Sequence, residues 1–450
     1  MTAQSQAKIV SWSTGGAETC ASAARISTTS GDALALYENA QNNPKNHDLI
    51  SKVVRSGHRS VIEHAVFSIA MQNVSVYAEQ YFIECRLASF TVKSRRYVDF
   101  SGFGYYIPPE LSGEDLSAYR QYMDALFSAY QSLLDAGIPK EDARFVLPYA
   151  FCSNFYCTLN ARELSELIRS IRYGRGKHIP ELQSIAAQLT EQLGTLFPSL
   201  LPELDKPAGH PVNREIPVPL FSGEPIWVDQ SDAGGTELLS APANASQLLE
   251  RAHRTANPRN PSSLSLDDLM SSPRPRELEQ LSYTFAISNV SLPGITHLVR
   301  HRMQSIIVPP IEALDFSRYI LPDTIRQTPA ALEKYQSVLT EANHTARDLL
   351  QRPALQPYSY YFAAAANMLN VMTTLNAREL KLIIRLRTCT RAQWEIRHIA
   401  MGMLRKLREQ DPELFNRFGP SCYLTGTCPE GRFSCGRQEE MKALFGGELS

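Results

Sequence analysis

Between Val61 and Ser68 apolar and polar residues alternate, and a period of two predicts a strand. From Val76 to Ala88 the apolar spacing becomes helical. Leu116 to Ala136 carries a long amphipathic pattern that Gly137-Ile138-Pro139 stops. Asn160 then has the chemistry of an N-cap, with Leu164, Leu167 and Ile168 on the buried face of the helix it opens. A similar succession comes later. Leu281 to Ile287 reads as a strand, and a helix opens at Pro293-Gly294 with Ile295, Leu298, Val299 and Met303 at helical spacing. Residues 322–350 hold a second amphipathic helix, Asn376 caps another, and Ala392 to Arg408 forms one more. Strands mixed with long helices predict an α/β (α+β) fold.

The two successions are copies. Asn160-Ala161-Arg162-Glu163-Leu164 recurs as Asn376-Ala377-Arg378-Glu379-Leu380, a shift of 216 positions. Asn73-Val74-Ser75 recurs as Asn289-Val290-Ser291 at the same shift, as do Glu63 in Glu279, Arg86 in Arg302 and Ser89 in Ser305. One offset shared by separated markers requires duplication, and a period this long makes each copy a whole domain. The expected organisation is a first copy at 1–205, a linker or excursion at 206–276, a second copy at 277–418 and a cysteine-containing tail at 419–450. The linker is rich in Pro, Ser, Asn and Gly, with one predicted helix from Ala245 to Thr255.

Composition narrows the partners. Net charge is −1, so no global field favours a nucleic acid or an anionic membrane. No apolar run approaches the roughly 20 residues that span a bilayer. Met1 to Val10 lacks the apolar core of a signal peptide, and eight cysteines in 450 residues are too few for a disulfide scaffold, so a reducing cytoplasm is expected.

Charge clusters at the repeated motifs. Arg300-His301-Arg302, followed by Ser305, is expected to close an otherwise apolar helix. Cations this close repel unless anionic or accepting groups lie between them, which suits phosphate or an electron-rich heterocycle. An exposed basic helix end would show the same spacing. In the first copy Glu84 and Cys85 replace Arg300 and His301, and only Arg86 remains. Beyond Ser89 comes Ser94-Arg95-Arg96-Tyr97, hydroxyl beside guanidinium as a phosphate monoester requires. A solvated turn with a basic edge is the plainer alternative.

Taken together, Arg-His-Arg-x-x-Ser and Ser-x-Arg-Tyr resemble the signature of the flavin-dependent thymidylate synthases. His58-x4-Glu63-His64, Arg144-Phe145-Val146-Leu147-Pro148, Leu386-Arg387 and Ala392-Gln393-Trp394-Glu395-Ile396-Arg397 extend the resemblance over about three quarters of the chain. It implies two copies of a thymidylate synthase-like domain, each a small sheet packed with long helices. The chain would then form a homodimer equivalent to the family's tetramer, a pseudo-tetramer. The implied reaction is FAD-dependent reductive methylation of dUMP to dTMP, with methylenetetrahydrofolate and NADPH as co-substrates. Arg300, His301, Arg302, Ser305, Asn376, Arg378 and Glu279 would hold flavin, with His58 and Glu63 as neighbours. Ser94, Arg95, Arg96, Arg144 and Arg387 would hold the nucleotide, and Arg387, Arg300 and His301 would act in catalysis.

Each copy departs from the family where the other conforms. The second copy has Pro309-Pro310 in place of the nucleotide loop; its Ser317-Arg318-Tyr319 reads as that loop arriving six positions late. Tyr360 falls at the position of Arg144. The first copy lacks Arg-His, and Arg172 reads as a displaced counterpart of Arg387. Such losses fit composite sites, one copy lending the nucleotide loop and the other the flavin grip. Thr91-Val92 replace polar and acidic residues of the family pattern. This leaves two alternatives open: C5 alkylation of another pyrimidine nucleotide, or flavin and nucleotide binding without catalysis. Cys422, Cys428 and Cys435 could offer three thiolates to zinc, but their spacing lacks a Cys-x-x-Cys knuckle, so no metal is expected. Cys152 and Cys157 are expected as small buried side chains flanking a helix start.

Overall fold

The computed structural model describes residues 4–205, 219–259 and 263–447. Residues 206–218 and 260–262 of the linker lie outside the described residues. Two compact units divide the chain, unit 1 comprising 1–219 with 330–364, and unit 2 comprising 220–329 with 365–450. Residues 330–364, assigned by sequence to the second copy, therefore belong to the unit built on the first.

Unit 1 holds an antiparallel sheet of β1 (Gln6–Trp12), β2 (Val66–Ser75), β3 (Ala88–Val92) and β4 (Cys152–Asn160), in the order β1-β2-β4-β3. The predicted strand starts late, because Arg59–His64 form a 3-10 turn that buries only Ile62. The helix Val76–Ile83 is buried on every side, and that removes the polar stripe that would have marked its end. Ala88, expected to end that helix, instead opens β3, which pairs with β4. The long amphipathic helix spans Gly113–Asp135, and Gly137 takes the left-handed φ of 82° that ends it. Cys152 and Cys157 are buried as expected, but they stand on β4.

In unit 2, β5 (Ile226–Asp229) pairs in parallel with β9 (Arg318–Leu321). The larger sheet joins β6 (Gly235–Ser240), β7 (Ser282–Ser291), β8 (Gln304–Ile307) and β10 (Met368–Asn376), in the order β6-β7-β10-β8. Its topology repeats that of unit 1, with β6 in the place of β1. The excursion therefore supplies the second copy's first strand and is more than a linker. The expected helix in 322–350 is two, Asp323–Arg326 and Pro329–Leu349.

The repeat extends to single bonds. β2 and β7 share one burial pattern along ten residues. Asn73 and Asn289 both adopt φ 53°, where each strand's register shifts, and their N–H groups donate to Asn154 Oδ1 at 2.8 Å and Asn370 Oδ1 at 2.9 Å. A left-handed φ costs little for Asn, whose short side chain tolerates it. Ser75 and Ser291 each give backbone N–H and hydroxyl to one buried glutamate, Glu181 and Glu395, at 2.7 and 2.5 Å. Ser5 and Tyr361 add donors to Glu181, whose burial nonetheless raises its pKa above the usual carboxylate range.

Candidate functional site

In unit 1 the nucleotide-loop residues converge. Ser94 Oγ accepts from Arg96 N–H at 3.3 Å, and Val98 N–H donates to Ser94 O at 3.0 Å, closing a turn after β3. Arg96 Nε–H donates to Glu141 Oε2 at 2.5 Å, and Arg144 Nε–H donates to Glu141 O at 2.9 Å. One residue thus gathers two guanidiniums, a charge set suited to a phosphate dianion. An open hollow of about 490 Å³ runs past Arg96, Tyr97 and Lys140. Arg95, expected at the nucleotide, points inward. It pairs with the fully buried Glu79 at 2.7 Å and lies 5.8 Å from the Phe151 ring centre. Its charge is too costly to bury alone, so it anchors the loop through Glu79.

The residues expected to hold flavin lie mostly in unit 2. Ser291 caps the helix Leu292–Leu298, accepting from Gly294 N–H at 3.1 Å. That helix ends before Arg300, so Arg-His-Arg occupies the turn leading to β8, beyond the helix end where the spacing had placed it. His301 is buried; Arg300 is half-buried and Arg302 exposed. Asn376 caps the helix Ala377–Arg387 by accepting from Glu379 N–H at 2.9 Å. That helix delivers both flanks of His301. Arg387 Nε–H donates to His301 Nε2 at 3.1 Å, and His301 Nδ1 lies 3.4 Å from Glu379 Oε1. Since Nε2 accepts, the proton of the neutral ring sits on Nδ1, facing the carboxylate. Burial holds the His301 pKa below its ordinary value, with Glu379 opposing that shift. Arg378 pairs with Glu279, and Ser305 on β8 stands opposite Thr374 of β10.

Other expected positions fare differently. Glu63 pairs with Arg162 at 2.5 Å, as Glu279 does with Arg378, and His58 is exposed near it in sequence. Arg172 turns to Asp205, Leu204 O and Thr190, so it does not stand in for Arg387. Ser317-Arg318-Tyr319 is not a late nucleotide loop. Tyr319 bridges Asn367 as Tyr105 bridges Phe151, and Ile320 N–H donates to Ala366 O as Tyr106 N–H does to Ala150 O. It therefore matches the stretch around Tyr105, well past the loop. The true loop positions are Pro310 and Glu312.

Among the described residues no group of three or more His, Cys, Asp or Glu that could hold a metal is found. No helix of the described residues is long and apolar enough to cross a membrane. Sequence reasoning missed Glu79, Glu141 and Glu379 as partners of the cations. Glu379 was visible in the repeated pentapeptide; the other two carry no local signal.

The duplicated mixed fold thus gathers Arg96 and Arg144 on Glu141 in one unit and sets the His301 imidazole between Arg387 and Glu379 in the other. The thymidylate synthase complementing protein family matches residues 8–199 and 237–413, and the chain belongs to that family. The second match begins within β6, as the sheet topology requires. A flavin-dependent thymidylate synthase of Clostridium tetani is 36% identical over 200 residues, covering 40% of this chain and 79% of the relative. One from Geobacter sulfurreducens is 35% identical over 184 residues, covering 40% and 79%. A solved UMP/dUMP methylase of Streptomyces cacaoi, bound with 5-bromo-dUMP, aligns at TM-score 0.38 and 25% identity over 45% of this chain and 94% of its own.

Proposed function

We propose that the chain converts dUMP to dTMP by FAD-dependent reductive methylation, taking carbon from methylenetetrahydrofolate and electrons from NADPH. The observation that carries this reading is the division of labour: Ser94, Arg96 and Arg144 survive in one unit, and Arg300, His301 and Arg387 in the other. The donor set of unit 2 fits an anionic, electron-rich cofactor, since Arg387 bonds an imidazole whose charged form burial disfavours, with Arg300 and Arg302 on either side of it in the chain. Arg300, His301, Arg302, Asn376 and Arg378 would hold FAD, which when bound supplies the hydride chemistry.

The chain's own residues do the rest. Arg96 and Arg144 bind the phosphate of dUMP. Arg387, oriented by neutral His301, stabilises negative charge on the uracil as C5 becomes nucleophilic. No protein nucleophile is required. The working unit is a homodimer with composite sites, equivalent to a tetramer of single-copy chains. Purified protein should be yellow, and its NADPH oxidation should respond to dUMP. A colourless protein that neither binds added FAD nor complements a thymidine auxotroph overturns the reading.

A further inference from the structure

Each copy has lost one half-site, and in each the chain's own residues fill the loss. In unit 1, Glu84 and Cys85 stand where the second copy has Arg300 and His301. Glu84 is paired with Arg175, which also donates to Tyr81 O at 3.4 Å and lies 4.2 Å from the Tyr81 ring centre. The Cys85 thiol sits 3.8 Å from Glu163, and burial pushes its pKa up to about 11, so it carries no charge at neutral pH. A pyrophosphate would meet a carboxylate here, and the neighbouring cation is already engaged.

In unit 2 the loop positions of Ser94 and Arg96 hold Pro310 and Glu312, and Glu312 is buried. The segment that carries β5, just before β6, lies alongside. Leu220 N–H donates to Leu314 O at 3.3 Å, Phe316 N–H to Leu220 O at 2.8 Å and Ile226 N–H to Ser317 O at 2.7 Å. Trp227 stacks on Tyr319 with ring centres 5.5 Å apart. This segment is thereby bonded to residues 314–319, directly after the loop positions.

We infer that the chain holds one flavin and one nucleotide, the first-copy flavin half-site being sealed by Glu84–Arg175 and the second-copy nucleotide half-site by Glu312 and the 220–229 segment. This inference rests on the proposed function. Equilibrium dialysis of the full chain against FAD, and of the FAD-loaded chain against dUMP, counts the sites. One of each per chain is expected, and two of either overturns the inference. Glu84→Gln should leave FAD affinity unchanged, whereas Arg300→Ala should weaken it about tenfold or more. Tenfold weakening by Glu84→Gln, with the melting curve preserved, would overturn the sealed first-copy site. If the unsubstituted chain binds no FAD at all, the proposed function itself fails.

Discussion

Glu79→Gln tests how the nucleotide loop is held. Arg95 and Glu79 side chains are 6% and 0% exposed and 2.7 Å apart. Gln keeps an acceptor but removes the countercharge, stranding a guanidinium in the interior. Breaking one side of a buried pair costs about 3–5 kcal/mol. Because Gln still accepts one hydrogen bond, the lower end applies, about 3 kcal/mol. For a unit of this size that lowers the melting temperature by about 6–12 °C. Calorimetry measures this, and initial rates should show the KM for dUMP raised about tenfold as Ser94 and Arg96 drift. The double substitution Glu79→Met with Arg95→Met should recover most stability, since an apolar pair of similar volume is near neutral, while KM stays high. Glu79→Gln melting within about 1 °C of the parent would refute the buried-pair account.

Asn376→Ala should cost about 1 kcal/mol and weaken FAD binding, because the cap positions Glu379 beside His301. Asn160→Ala should cost the same in stability, yet leave FAD titration unchanged. His301 has a folded pKa below its ordinary 6.5, so in acid the unfolded chain binds more protons than the folded one. Stability should therefore fall as pH drops through about 6.5 towards that lower value, and His301→Gln should flatten this limb in denaturant titrations at stepped pH. Treatment with EDTA should leave the melting temperature unmoved, since the tail's cysteine spacing lacks a Cys-x-x-Cys knuckle.

Much of the fold was legible because duplication doubled each signal. The Asn160 and Asn376 caps, the long helix ending at Gly137 and the strands β2 and β7 follow from local chemistry. The first strand of the second copy was not legible, because β6 lies in a Pro- and Gly-rich stretch and is shifted from β1 by more than the common offset. Helical periodicity found the helix at Val76 but ran past its end at Ile83, where complete burial leaves no polar face to mark the stop.

The site divides along a similar line. Residues whose spacing is short, such as Arg300-His301-Arg302, could be read directly. Side-chain direction could not: Arg95 and Arg96 are adjacent, yet one turns to Glu79 and the other to Glu141, each far off in sequence. Ser317-Arg318-Tyr319 misled because it imitates the loop in composition. Only its backbone bonds to Ala366 and Asn367 reveal its true counterpart.

The central claim is that neither copy works alone. Its most direct test is the absorbance of bound FAD during dUMP titration of the parent chain and of Arg96→Ala, a change confined to the unit without the Arg-His-Arg segment. The account predicts a spectral shift in the parent, and in Arg96→Ala full FAD loading with the shift and dUMP-stimulated NADPH oxidation both lost. An Arg96→Ala chain that keeps the shift and turns over at the parent rate would contradict it.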